Sequence, residues 1–224
     1  MTAVDQLALA LGAGWASGLN LYAAVLALGY FNATGDLLLP PELQILSDPL
    51  VMLAAGLMYC VEFFADKTPG VDSGWDALHT FLRIPAGAVL AAGAVGDVSP
   101  ALQIAAGLVG GTLAAGTHFT KAGARVLINT SPEPFSNWAA SVTEDVAVFA
   151  AIWTAVHHPA LWLALLALSV ALIVWLLPRL WRGIRRVLSS LARWFGFDSG
   201  RPPASPIPPA GPPPAPPRLP PPAP

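Results

Sequence analysis

The sequence predicts an all-α membrane protein: a polytopic bundle of about six spans with a weak internal repeat, a C-terminal amphipathic helix and a disordered Pro-rich tail. Of 224 residues, 55% are hydrophobic and 11% charged, and the mean hydropathy is +0.61, whereas a soluble domain is about 25% charged. The composition also changes sharply after residue 178. We therefore divide the chain into a transmembrane domain (1–178), an amphipathic interfacial helix (179–197) and a tail (198–224).

Six apolar stretches are long enough to be spans, because about 20 residues at roughly 1.5 Å each cross the hydrocarbon. They are approximately 7–31, 49–67, 76–95, 101–121, 137–156 and 160–177. Pro49, Pro100 and Pro159 predict sharp helix starts, since proline fits the first turn of a helix. No Lys or Arg precedes Lys67, so the first stretch lacks the basic flank of a signal peptide and is expected to be a mature helix.

Basic residues predict the orientation. With six spans, the two termini, the four basic residues of 1–178 and the seven arginines of 179–224 share one side. The opposite loops contain Asp36, Glu42, Asp48 and Asp97 but no basic residue. By the positive-inside rule, we expect an inner-membrane protein with both termini in the cytoplasm.

Polar residues recur at helical spacing within four of these stretches, so each set lies along one helix face. The sets are Glu62 and Asp66; Asp72, Asp76, His79 and Arg83; His118, Lys121, Arg125 and Asn129; and Asn137, Ser141 and Glu144. A charge facing lipid at the bilayer centre costs about 2.5 to 3.5 kcal/mol on insertion scales. The four faces, together with Glu133 and Asp145, are therefore predicted to meet in an ionisable pocket that opens to the cytoplasm.

A weak internal repeat relates two of the helix starts. A shift of 63 residues aligns "VDSGWDALHT" (71–80) with "PFSNWAASVT" (134–143), which matches Trp75 with Trp138 and Thr80 with Thr143. In a six-span topology both segments are cytoplasmic, which would relate the halves by an axis along the membrane normal rather than by the inverted symmetry of many transporters.

The C-terminal region differs from the apolar stretches. Arginines follow one side of a predicted helix and apolar residues the other, as is typical of a helix on an anionic leaflet. Residues 202–224 contain 14 prolines in 23 positions, which predicts an extended, unpacked tail.

Two long motifs resemble a known family. "EFFADKTPGVDSGWDALHTFLRIPAGA" (62–88) and "HFTKAGARVLINTSPEPFSNWAASVTED" (118–145) are similar to the multi-pass membrane proteins of the domain-of-unknown-function family 4126. The resemblance covers about residues 10–160 and leaves out the amphipathic helix and the tail. It implies a membrane-helix architecture and a functional role for the motifs, but no particular activity.

Three classes of function fit these residues. In a transporter or channel for a small ion or solute, the acids and His79 would bind cations or relay protons, while Arg83, Lys121 and Arg125 would balance charge. In an enzyme acting on a lipid phosphate at the inner leaflet, Asp66, Asp72 and Asp76 would hold a divalent cation such as Mg²⁺. Lys121 and Arg125 would then bind the phosphate. In a structural or assembly protein, buried ion pairs such as Asp76 with Arg125 or Glu144 with Arg83 would fix helix register.

The expected partners are the lipid bilayer and, for the first class, a small ion or solute. No nucleic-acid partner is expected, and a homo-oligomer is left open. A divalent cation is the one cofactor that the sequence suggests. No GxSxG, HExxH or Walker motif occurs in the chain, so the common hydrolase, metalloprotease and nucleotide-binding signatures are missing.

Overall fold

A computed structural model of the chain describes residues 2–68, 70–130 and 135–194. Two sequence predictions lie outside these residues. One is the assignment of Glu133 to the candidate site, and the other is the proline-rich tail of residues 198–224.

The described part of the chain is all-helical, as predicted. Its elements are α1 (Ala3–Leu19), α2 (Leu21–Thr34), a 3-10 helix (Pro41–Ser47), α3 (Pro49–Ala65), α4 (Val71–Ala94), α5 (Pro100–Ile128), α6 (Phe135–His157) and α7 (Pro159–Trp194). Proline occupies the first position of α3, α5 and α7, so the predicted starts at these three helices are confirmed. The two segments of the internal repeat lie at the starts of α4 and α6.

The count of six spans is not confirmed. Within residues 2–68, 70–130 and 135–194, three helices are long and apolar enough to cross a membrane: Val71–Ala94, Phe135–His157 and Pro159–Ser190. A fourth results if the 3-10 helix and α3, which meet at a bend of 64°, count as one broken span. These apolar helices are compatible with a membrane protein.

The first predicted span is two helices rather than one. Asn20 has an extended backbone (φ −149°, ψ 103°) and separates the 17 residues of α1 from the 14 residues of α2. Its side-chain oxygen accepts a hydrogen bond from the Ala23 backbone N–H at 3.0 Å, which caps α2. A hydropathy pattern does not detect this break, because the sequence is apolar on both sides of Asn20.

Small residues let α1, α4 and α5 pack closely at the centre of the bundle. A Cβ atom added to Gly14 of α1 would lie 2.7 Å from the Cα atom of Gly110 in α5. One added to Gly87 of α4 would lie 2.6 Å from the Cβ atom of Ala114. Backbones at this distance leave no room for a side chain, so these glycines are packing residues.

The first compact unit of the chain covers Met1–Arg186 and contains most of α7. Trp162 of α7 packs edge-to-face on Trp15 of α1, with 5.5 Å between ring centroids. The Trp15 indole N–H also donates to the Ser169 hydroxyl at 2.8 Å. The helix continues through Pro178, where the sequence predicts the start of a separate amphipathic helix, and Leu180 packs beside Gly123 of α5.

Candidate functional site

The polar face of α4 is buried, as its helical spacing predicts. Gly70, with a positive φ of 85°, precedes the helix, and Asp72, Asp76, His79 and Arg83 all lie among its buried residues. The predicted polar faces of α3, α5 and α6 also point inward at most of their positions. The four helices therefore bring their ionisable side chains together inside the protein.

Seven of these side chains form a single network of ion pairs, which we call the charge cluster. Its members are Glu62, Asp66, Asp76, Arg83, Lys121, Arg125 and Glu144. They come from four helices, α3 to α6, with Asp66 at the C-terminal cap of α3.

Arg83 forms the α4 side of the charge cluster. Its Nη2 lies 2.7 Å from Glu62 Oε1, and its Nη1 lies 2.9 Å from Asp76 Oδ1. The Arg83 backbone carbonyl accepts a hydrogen bond from the Ser17 hydroxyl at 2.8 Å, which fixes this turn of α4 against α1.

Lys121 lies at the centre of the charge cluster. Its Nζ is 2.7 Å from Asp66 Oδ2, 3.4 Å from Glu144 Oε2, 3.7 Å from Glu62 Oε1 and 3.8 Å from Asp76 Oδ1. One ammonium group therefore lies within 4 Å of all four cluster carboxylates.

Arg125 joins the end of α3 to the start of α6. Its Nη2 lies 2.7 Å from Glu144 Oε2, and its Nη1 donates to the Asp66 backbone carbonyl at 2.8 Å. The same Nη1 donates to the Asn137 backbone carbonyl at 3.1 Å. These bonds to main-chain carbonyls hold the Arg125 guanidinium in place against the helix ends, in addition to its ion pair with Glu144.

The partners of Asp76 and Glu144 differ from the two example ion pairs that the sequence suggested for a structural role. Asp76 was expected to pair with Arg125 and Glu144 with Arg83, but Asp76 pairs with Arg83 and Glu144 with Arg125. Asp76 and Arg83 are seven residues apart, which is about two turns, so they share one face of α4 and reach each other directly.

The charge cluster is closed. The side chains of six members have relative exposures of 0 to 2%, and Glu144 has 16%. The sequence predicted a pocket that opens to the cytoplasm, whereas in this structure the charged groups pack against one another and only Glu144 approaches the surface. Because the charge cluster is buried this deeply, any charge in it that lacks an opposite partner is strongly unfavourable.

The acids of the charge cluster outnumber its bases. Four carboxylates face three cations, so with every group ionised the cluster carries one net negative charge. Three of its acids also have one buried oxygen without a hydrogen-bond partner among the described residues: Glu62 Oε2, Asp66 Oδ1 and Asp76 Oδ2. The Nε–H groups of Arg83 and Arg125 are buried without a described partner in the same way, so unpaired acceptors and unpaired donors lie in one cluster.

Two histidines adjoin the charge cluster, and both ring nitrogens of each lie close to a polar group. Arg83 Nη1 can only donate, so His118 Nδ1 accepts from it at 3.3 Å. The hydroxyl of Thr80 donates to the Asp76 carbonyl, and it therefore accepts from His118 Nε2 at 2.7 Å. His118 thus lies between the Arg83 guanidinium and the Thr80 hydroxyl.

His79 lies beside the tyrosine of α2. Its Nδ1 donates to the Trp75 carbonyl at 2.9 Å, and its Nε2 lies 3.1 Å from the Tyr22 hydroxyl. The imidazole also stacks on the Trp75 ring at 4.2 Å. His79 is therefore buried next to the charge cluster, although it makes no ion pair with the described residues.

Asp72, Asn129 and Asn137 form a second polar group, which joins the charge cluster where Arg125 bonds to Asn137. Asn129 Nδ2 donates to both carboxylate oxygens of Asp72 at 2.8 and 3.0 Å, and Asn137 Nδ2 donates to Asn129 Oδ1 at 2.7 Å. Asp72 and Asp76 thus have different partners. No group of three or more His, Cys, Asp or Glu side chains that could hold a metal ion occurs in the described residues, so the divalent-cation site remains a prediction.

One family model matches this chain, that of the Domain of unknown function (DUF4126), over residues 7–179. The chain belongs to the DUF4126 family. The matched residues extend beyond the 10–160 expected from the motifs and contain every member of the charge cluster. No curated protein and no solved structure matched the chain.

The structure of this DUF4126 domain adds groups that the sequence did not assign to the site. Lys121 Nζ donates to the Leu19 backbone carbonyl at 3.1 Å, next to the break between α1 and α2. Lys67 Nζ donates to the Ser141 hydroxyl at 3.2 Å. A backbone carbonyl has no sequence signal of its own, whereas an Asn between two apolar helical stretches is a signal for a helix break.

Asp145 of the DUF4126 domain does not join the charge cluster. Its neighbour Glu144 points to Arg125, whereas Asp145 Oδ1 accepts a hydrogen bond from Asn20 Nδ2 at 3.0 Å. Adjacent residues of a helix point about 100° apart, so two neighbouring acids reach two different surroundings.

Proposed function

We propose that this DUF4126 protein is a membrane transport protein, a transporter or channel for a small ion or solute, and that the charge cluster is its ionisable site. The observation that supports the proposal is the unbalanced burial of four carboxylates against three cations. Ionisable groups within membrane helices are rare and usually serve ion pathways or proton relays.

The net charge of the cluster implies a mobile positive charge. An unpaired buried charge is unfavourable by several kcal/mol at low dielectric, so a proton or small cation bound to the cluster would be stabilised. Glu62, Asp66 and Asp76 each offer a buried oxygen for it. Release and rebinding of that positive charge would couple the cluster to a gradient across the membrane.

The broken first helix supports the same proposal. Transporter sites often lie where a membrane helix is interrupted, because the ends of the half-helices expose backbone groups. Here the interruption at Asn20 places the Leu19 carbonyl 3.1 Å from Lys121 Nζ, at the centre of the charge cluster. A movement of α1 against α2 would therefore alter the surroundings of Lys121.

Glu144 would provide the connection to water. It is the most exposed member of the charge cluster, and it contacts both Lys121 and Arg125. Following the positive-inside argument, we propose that the protein lies in the cell membrane with both termini in the cytoplasm.

A structural role is the second candidate, and the near-complete burial of the ion pairs is the observation that favours it. Buried ionic groups can fix helix register without any transport. The enzyme hypothesis has less support, since Lys121 and Arg125 would have to bind a lipid phosphate while both are buried against carboxylates.

Flux measurements on purified protein in liposomes test the proposal. Wild-type protein is expected to move protons in response to a pH gradient, read with an entrapped pH-sensitive dye, or to move Na⁺ or K⁺ down a gradient. Glu144→Gln is expected to lower that flux at least tenfold. Asp97→Asn removes an exposed carboxylate away from the charge cluster and serves as the matched control with wild-type flux.

Two outcomes would contradict the transport proposal. The first is wild-type protein that moves none of these ions while Glu144→Gln changes only the unfolding midpoint, which is the result expected for a structural role. The second is a flux that Glu144→Gln and Asp97→Asn leave equally unchanged.

A further inference from the structure

A groove beside the charge cluster contains an acid that the cluster does not use. It lies between α3 and α6, with α2 behind it, and has a volume of about 670 Å³. Its walls are mostly aromatic, and we call it the aromatic groove: Phe31, Tyr59, Phe63, Phe149 and Trp153, with Asp145 among the other lining residues. Small-molecule sites typically measure about 300 to 1,000 Å³ and combine apolar walls with a few polar groups.

Asp145 is buried and makes no ion pair with a described residue. Its relative exposure is 7%. Oδ1 accepts from Asn20 Nδ2 at 3.0 Å, and Oδ2 has no hydrogen bond of good geometry, although the Tyr59 hydroxyl lies near enough to interact with the carboxylate. The ammonium groups of Lys67 and Lys121 interact with Asp145 only at a distance longer than an ion pair. A buried carboxylate in apolar surroundings would gain further from a positive charge in direct contact with it.

The aromatic walls suit a positive charge as well as an apolar body. The faces of aromatic rings attract cations, and one ring of the groove already does so within the chain. The ammonium of Lys67 lies 3.0 Å from the centroid of the Phe63 ring, held there by its bond to Ser141. Tyr59 of α3 and Phe149 of α6 pack edge-to-face, with 6.4 Å between their ring centroids, so they contact each other directly.

The position of Asp145 argues against a phospholipid headgroup as the occupant. It lies ten residues after the start of α6, which has 23 residues, and is therefore near the middle of that helix. At about 1.5 Å per residue, this is roughly 15 Å from the helix start, at a depth where a spanning helix contacts acyl chains rather than headgroups.

We propose that the aromatic groove is a binding site for a lipophilic cation, a molecule with an apolar or aromatic body and one delocalised or substituted positive charge. Asp145 pairs with the charge, and the aromatic walls hold the body. The groove lies outside the charge cluster, so this inference does not depend on the proposed transport function.

Matched probes of opposite charge test the site on the purified full-length protein in detergent. Tetraphenylphosphonium and tetraphenylborate have nearly the same size and shape but carry opposite charges. Equilibrium dialysis is expected to show saturable binding of tetraphenylphosphonium, with tetraphenylborate at least tenfold weaker. Asp145→Asn is expected to weaken tetraphenylphosphonium at least tenfold, whereas Asp97→Asn, which removes a charge elsewhere, leaves binding unchanged.

A second variant keeps the test decisive if Asp145→Asn does not fold. Val142 lines the groove and is 48% exposed, so Val142→Trp would occupy part of the space while Asp145 is kept. It is expected to reduce tetraphenylphosphonium binding at least tenfold. Equal binding of the two probes, or wild-type affinity in the folded variants, would show an apolar lipid-facing surface only and would overturn the proposal.

Discussion

Arg83 of α4 and Glu62 of α3 form an ion pair of 2.7 Å between two side chains with no solvent exposure. The residues are 21 positions apart in the chain, and no local rule of helix spacing joins them. The pair exists because both helices turn a charged face away from the apolar surface, and it connects them through Asp76 and Lys121 to the rest of the charge cluster.

Arg83→Met is expected to destabilise the protein by about 3 to 5 kcal/mol, because it leaves Glu62 and Asp76 buried without their main cation. Combining it with Glu62→Gln should recover part of that loss, since the neutral amide removes one of the unpaired charges. Unfolding in detergent, followed by circular dichroism for the two single variants and the double variant, measures the coupling. If the stability losses of Arg83→Met and Glu62→Gln simply add up in the double variant, the ion pair has no coupling energy of its own.

Gly14→Ala is expected to lower stability by about 1 to 3 kcal/mol, because the new methyl group would meet the Gly110 backbone and force α1 and α5 apart. Gly56→Ala in α3 is the matched control, since nothing lies within 4 Å of the added Cβ atom. Alanine is also the better helix former, so the control should be neutral or slightly stabilised. Equal unfolding midpoints for the two variants would contradict the close packing of α1 on α5.

Asn20→Ala should destabilise by about 2 kcal/mol, because it removes the N-cap of α2 and the hydrogen bond to Asp145 together. Asn20→Ser separates the two contributions, as serine can still cap the helix but cannot replace the amide donor. We expect Asn20→Ser to fall between wild type and Asn20→Ala in thermal unfolding. If Asn20→Ala has wild-type stability, the break at Asn20 is not held by these bonds.

Cys60 tests whether α3 faces lipid. It is the only cysteine of the chain, its side chain is exposed, and Leu57 on the same helix is 60% exposed. A charged maleimide is expected to leave Cys60 unmodified in permeabilised membrane vesicles and to label it after unfolding in dodecyl sulfate. As a control, Ser99→Cys in a Cys60→Ala background should react without unfolding. Rapid labelling of Cys60 in intact membranes would place that face of α3 in water.

Much of the helical architecture could be predicted from the sequence, because apolar length and proline at helix starts are local signals. The start of α5 at Pro100 and the buried face of α4 both follow from such patterns. The break at Asn20 and the run of α7 through Pro178 were not predicted, since each depends on packing against other helices rather than on the composition of a segment.

The candidate site was predicted as a set of residues but not as a set of contacts. Helical spacing identifies the faces that carry Arg83, Arg125 and Glu144, because period and burial are linked. It does not determine which cation meets which acid, and the predicted pairs were exchanged between Arg83 and Arg125. Nor does it separate Glu144 from Asp145, which are adjacent in sequence and face different surroundings.

The central claim is that the charge cluster binds a proton or a cation to balance its fourth carboxylate. Infrared spectroscopy of the purified protein in lipid, with salt reduced, measures this directly through the stretching band of protonated carboxyl groups. We expect such a band at neutral pH, and we expect it to disappear when the pH is raised or when a cation that replaces the proton is added. At least one of four variants should also remove the band: Glu62→Gln, Asp66→Asn, Asp76→Asn or Glu144→Gln. Asp97→Asn should leave it unchanged. A cluster whose four carboxylates stay ionised across this range, with no proton or cation bound, would contradict it.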